Sequence, residues 1–92
     1  RVLHFEEGLD NVAVRELADA IGETCGDMAA VFSGSDAEGY AFCLVTRTGD
    51  VRELTRAMTA VLHGRGGGKP VCQQGRVEAT KAEIEAFFEN QI

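Results

Sequence analysis

Gly64-Arg65-Gly66-Gly67-Gly68-Lys69-Pro70-Val71-Cys72-Gln73-Gln74-Gly75 is the one stretch of this chain that ordinary core and surface patterning does not explain. Glycines at 64, 66, 67 and 68 cost backbone entropy on folding, so they need a physical reason. Two are available: backbone angles that side chains resist, or a main chain that something must approach closely. Pro70 suits the first turn of a helix and Gly75 its left-handed cap. The segment therefore predicts a glycine loop entering a short extra helix, whose N-terminal N–H groups and dipole would seat a phosphate or carboxylate beside Arg65 and Lys69. The alternative is that the glycines only let the loop cross tightly over a neighbouring strand or helix. Lys69 is followed by Pro70 rather than Ser or Thr, which excludes a Walker loop. A helix, not a strand, is expected before the glycines, which argues against a dinucleotide fingerprint.

Moving outward, Val51, Leu54, Met58 and Val61 or Leu62 form one helical stripe that ends near His63, with Asp50 and Glu53 as its capping box after a turn at Thr48, Gly49 and Asp50. Upstream, Met28 to Phe32 and Tyr40 to Val45 are apolar without alternation. They predict central strands covered on both faces and joined as a hairpin through the polar residues 33–39. Val2 to Phe5 reads as a first strand. Asp10 or Asn11 then caps a helix built on Val14, Leu17, Ala18 and Ile21, with Gly22 or Gly26 to stop it. Downstream, Val77 and Ala79 alternate with Arg76 and Glu78 as a half-exposed strand does. Thr80 and Glu83 cap a last helix that buries Ile84, Phe87 and Phe88. The expected order is β-α-β-β-α-β-α. An α+β fold follows, with three main helices on a small mixed four-stranded sheet.

Ninety-two residues, 45% of them apolar, suit one domain spanning residues 1–92. The start at Arg1 suggests a piece of a longer polypeptide. No apolar run is long enough to cross a bilayer and no signal sequence opens the chain, so a cytoplasmic protein without membrane partners is expected. Cys25, Cys43 and Cys72 are odd in number and widely spaced, which predicts reduced thiols rather than a disulfide framework or a zinc site. Cys25 and Cys43 read as packing residues. Cys72 is a candidate reactive thiol near Lys69, although no histidine stands beside it to activate it. His4 and His63 have no metal-ligand spacing to any cysteine, so no metal or cofactor is expected within this chain. The formal charge of −6 repels phosphate at long range. Yet Arg65, Lys69, Arg76 and Lys81 lie in a stretch interrupted by one acid, Glu78, which leaves room for a local basic edge.

The glycine segment, with a helix before it, a basic residue followed by proline, a glutamine four residues after that proline, and a closing helix, resembles the glycine motif of the DHHA1 domain. That domain ends alanyl-tRNA synthetases and alanyl-tRNA editing proteins. The resemblance implies an accessory domain that contacts tRNA, supports aminoacylation or hydrolytic editing of mischarged tRNA by upstream domains, and can assist homodimer formation. The parent would be an enzyme but this chain would not, and any zinc would belong upstream. Carried over by position, Arg65, Gly66, Gly67, Gly68, Lys69 and Gln74 become the nucleic-acid-binding candidates. The related DHH phosphoesterases also carry a DHHA1 domain, but there the glycine run is followed by a histidine where this chain has Lys69-Pro70, which favours the alanyl-tRNA branch.

Two alternatives stand beside this reading: an oligomerisation or docking element that avoids RNA, and the substrate-binding domain of a DHH-type phosphoesterase. His63 reads as a helix-terminal residue matched to the dipole, not as an acid or base. Glu6, Glu7 and Asp10 lack the spacing of a calcium loop.

Overall fold

A computed structural model describes residues 2–47 and 49–90. The chain runs β1 (Val2–Phe5), α1 (Asn11–Cys25), β2 (Ala29–Ser35), β3 (Gly39–Val45), α2 (Arg52–Val61), β4 (Gly64–Lys69), β5 (Cys72–Val77) and α3 (Lys81–Glu89). The strands form one sheet in the order β1-β2-β3-β5-β4. β1 lies parallel to β2, because α1 carries the chain back across the sheet. The other neighbours are antiparallel.

The alternating pleat sends successive side chains of each strand to opposite faces, and both faces of the central strands are covered. On one side, Val14 and Ala18 of α1 pack with Ala29, Val31, Cys43 and Val45. On the other, α2 and α3 bring Met58, Leu62, Ile84, Phe87 and Phe88 against Ala30, Phe32, Phe42, Leu44 and Val77. Phe32 is the hinge of an aromatic cluster, with ring centroids 5.5 Å from Phe5, 6.0 Å from Phe42 and 5.9 Å from Phe88. The two apolar runs at 28–32 and 40–45 are therefore doubly covered strands, as their unbroken hydrophobicity requires.

Helix ends follow their local chemistry in two of three cases. Asp10 caps α1 by accepting from the Ala13 N–H at 2.8 Å, and Gly26 closes it at φ 69°. Thr80 and Glu83 form a complete capping box on α3. The capping box expected from Asp50 and Glu53 is absent. Asp50 instead accepts from the Arg52 N–H at 2.9 Å and pairs with the Arg52 guanidinium at 2.7 Å, while Val51 stands at the N-cap of α2 and offers no side-chain cap. Thr48 of the expected turn lies outside the described residues.

The glycine segment departs furthest from its expected structure. The sheet has five strands, not four, and no short helix follows the glycines. Residues 64–69 are a strand, Pro70 and Val71 turn, and residues 72–77 return as its antiparallel partner. The half-exposed strand expected around Val77 and Ala79 starts earlier, at Cys72, and ends at Val77. Gly75 is a strand residue rather than a helix cap. The turn does not start a helix, because its carbonyls are taken up by the connection between β3 and α2: Pro70 O accepts from the Val51 N–H at 2.8 Å and Val71 O from the Thr46 N–H at 3.0 Å.

Candidate nucleic-acid interface

β4 is an edge strand, paired only with β5, and every residue from Arg65 to Lys69 is exposed. In an antiparallel ladder alternate residues turn their N–H and C=O groups away from the partner, so β4 presents a row of donors interleaved with acceptors at its open flank. This differs from the converging donors that a helix N-terminus would have supplied.

The register sorts the candidate residues between faces. Arg65 lies opposite Arg76, Gly67 opposite Gln74 and Lys69 opposite Cys72. Cys72 packs with the α1 cluster, so Arg65, Gly67, Lys69, Gln74 and Arg76 all belong to the α1 face. Gly66 and Gly68 belong to the other. A Cβ at Gly66 would meet Phe42 Cζ at 2.6 Å and Thr55 Cγ2 at 3.3 Å, and one at Gly68, where φ is +138°, would meet the Cys72 carbonyl at 2.5 Å. Gly75, beneath them, comes so close to β4 that a Cβ would lie 1.9 Å from the Arg65 oxygen. Packing therefore accounts for these glycines, as the tight-crossing reading anticipates. Gly67 differs: nothing lies within 4 Å of its Cβ direction, and its φ is not positive.

α1 covers β2 and β3 but stops short of the outer strands, which leaves an open concavity of about 490 Å³ lined by Asn11, Ala41, Arg65, Gln74, Gly75 and Arg76. Gln74 Nε2 donates to the Asn11 carbonyl at 3.0 Å and so fixes the start of α1 over β5. The Asn11 and Val12 N–H groups precede the first intrahelical bond, and among the described residues no protein acceptor meets them. Arg76 is held by Glu78 at 3.1 Å and by the Glu38 carbonyl. Arg65 and Lys69 have no carboxylate partner among the described residues. Arg65 thus lies directly opposite Arg76 on one face, but Glu78 already compensates Arg76, which leaves Arg65 as the cation without a carboxylate there. Among the described residues no cluster of three or more metal-ligating side chains occurs.

The DHHA1 domain pattern matches residues 1–91. The chain belongs to the DHHA1 domain family. Its fold is similar to that of the crystal structure of the C-Ala domain from Aquifex aeolicus alanyl-tRNA synthetase, with a TM-score of 0.76 over 96% of this chain and 87% of that one, at 23% sequence identity. No curated protein matches the chain. Among the described residues, no helix of this DHHA1 domain is long and apolar enough to cross a membrane.

The topology gathers Arg65, Gly67, Lys69 and Gln74 on one face and sends Gly66 and Gly68 to the other. It also brings in two residues outside the binding candidates: Asn11, expected only as a helix cap, and Arg76, expected only as part of the basic edge. Asn11 is remote in sequence and only α1 brings it there. Arg76 had a visible signal, since it lies two residues before Glu78 in a strand that alternates.

Proposed function

We propose that this DHHA1 domain holds the sugar-phosphate backbone of tRNA on the α1 face of its outer strands, as an accessory module of an alanyl-tRNA synthetase or alanyl-tRNA editing protein. The observation that carries this reading is Arg65, without a carboxylate partner among the described residues, beside the unobstructed backbone of Gly67. A phosphate there would accept charge-assisted hydrogen bonds from Arg65, and Arg76 would join it by exchanging Glu78 for the phosphate. A bare main chain at Gly67 lets a ribose or phosphate approach without meeting a side chain. Lys69 extends the positive edge, and the N-terminus of α1 adds the favourable end of its dipole. The contacts are of a kind that position RNA rather than read its sequence. Family membership and the similarity to the C-Ala domain support the same reading. The chemistry of aminoacylation or editing belongs, on this proposal, to upstream domains.

The test is tRNA binding by the full-length protein across a salt series. Charge reversal at both basic residues, Arg65→Glu with Lys69→Glu, should weaken binding and reduce the slope of log affinity against log salt by about two contacts' worth, roughly 0.9 per phosphate for a duplex. Unchanged affinity and slope would eliminate the proposal. A stable dimer on light scattering that ignores tRNA would favour a docking element instead.

A further inference from the structure

The DHHA1 fold brings together two cysteines that are 29 residues apart in sequence. Cys43 on β3 and Cys72 on β5 have their sulfurs 3.8 Å apart on the α1 face. They are diagonal neighbours in the ladder, since Cys72 lies opposite Val45 and Cys43 opposite Gln74. Cys43 is fully buried against α1 and Cys72 is partly exposed. Cys25 stands apart at the end of α1, its sulfur 3.9 Å from the carbonyls of Gly22 and Met28.

We infer that Cys43 and Cys72 are a modification site, a dithiol that a peroxide or a small-molecule disulfide oxidises to one intramolecular disulfide linking β3 to β5. Their unequal exposure sets the order of events. Only Cys72 can meet an oxidant in solvent, whereas burial, with Cys72 alongside, pushes the Cys43 thiol above its ordinary value and keeps it protonated until the second step. With hydrogen peroxide, the Cys72 thiolate attacks one oxygen and the O–O bond breaks. Cys72 becomes a sulfenic acid, and the departing hydroxide takes up a proton as water. The Cys43 sulfur then attacks the Cys72 sulfur and breaks the S–O bond, and its own proton leaves with that hydroxide as a second water. Two thiols lose two electrons in all and the peroxide gains them. With a disulfide as oxidant, Cys72 displaces one thiolate to give a mixed disulfide, and Cys43 displaces the other.

The sulfurs must close from 3.8 Å to about 2.05 Å. Diagonal positions are wider than the usual disulfide span, so β5 has to shift against β3, and such strain makes a bond easier to reduce. Cys25 cannot substitute for either partner, so the disulfide is confined to this pair.

The experiment is peptide mapping of the intact protein by mass spectrometry after brief hydrogen peroxide treatment, followed by alkylation. The expected product is a peptide pair linked through Cys43 and Cys72, with Cys25 alkylated as before, and dithiothreitol restores both thiols. Cys43→Ala should abolish the link and raise the sulfinic acid fraction at Cys72 several-fold, because the resolving sulfur is gone. Circular dichroism checks that this variant is folded. Should it not be, the proportion of linked to singly oxidised Cys72 in the unaltered protein decides alone. Cys72 oxidised singly while Cys43 stays a thiol would overturn the proposal. So would a link that forms only in denaturant, or peroxide that leaves both thiols untouched.

Discussion

Gly67 and Gly75 sit on paired strands, yet they answer differently to an added methyl group. At Gly67 the methyl meets nothing within 4 Å and the backbone is not left-handed. Gly67→Ala should therefore keep or raise folding stability, by about 0.4–1 kcal/mol through the unfolded chain, in chemical denaturation. The same variant should bind tRNA more weakly on the proposed reading, because the methyl group stands where RNA approaches. At Gly75 the methyl would lie 1.9 Å from the Arg65 oxygen and 2.5 Å from the Gly66 Cα, so β4 must be pushed off β5. Gly75→Ala should cost roughly 1–3 kcal/mol, the range for forced overpacking. An equal loss for both variants would show that Gly67 is needed for the fold after all.

Among the elements, the start of α3 shows how pH reaches the fold. Asp36, in the turn between β2 and β3, accepts from the Lys81 N–H at 2.8 Å and from the Tyr40 hydroxyl at 2.7 Å, and these bonds hold its carboxyl below the usual range. Glu83 is lowered in the same way by the Thr80 N–H and hydroxyl. Both groups release protons more readily when folded. Their contribution is complete above the ordinary carboxylate range and is lost as pH falls through that range into the lower folded values. Tyr40 has the opposite sign: burial, then the bond to Asp36, pushes its hydroxyl up to about 12, so stability from it is lost as pH rises toward that value. Thermal unfolding followed by circular dichroism should show a shallower acid loss for Asp36→Asn, which keeps an acceptor for Lys81 but cannot titrate.

Seven of the eight elements were legible in sequence, β5 with shifted bounds, because side chains announce them. The doubly covered strands show unbroken apolar runs, and α1, α2 and α3 show stripes at helical spacing. β4 announces nothing. Strand alternation is carried by side chains, and a run of glycines has none to alternate. Pro70 and Gly75 then imitated the beginning and end of a helix. What makes residues 64–69 a strand is tertiary: β3 offers β5 a free edge, β5 offers its own to β4, and at Gly66 Phe42 and Thr55 crowd the place of a side chain. The candidate site was half legible for the same reason. Arg65 and Lys69 were visible as charge, whereas their shared face and the arrival of Asn11 depend on the register and on α1.

At the scale of the molecule, one sheet covered on both faces at its centre and bare at the β4 edge predicts a gradient of stability. Amide hydrogen exchange should be slowest in Phe32, Phe42 and Leu44 and fastest in Arg65 to Lys69. Uniform protection across all five strands would contradict the open edge. Truncating the centre should be severe, with Phe42→Ala costing about 3–5 kcal/mol in denaturant unfolding.

Residues 64–77 contain no acid, although the chain as a whole carries a charge of −6. The β4–β5 hairpin is therefore a basic stretch on a chain of net negative charge, and the two signs act on a polyanion in opposite ways. An incoming polyanion exerts a torque on the domain before it touches it, turning the hairpin forward while the remaining surface pushes away. Net repulsion then acts as a filter on orientation: collisions from the wrong side are rejected at a distance, and added salt blunts the rejection along with the attraction.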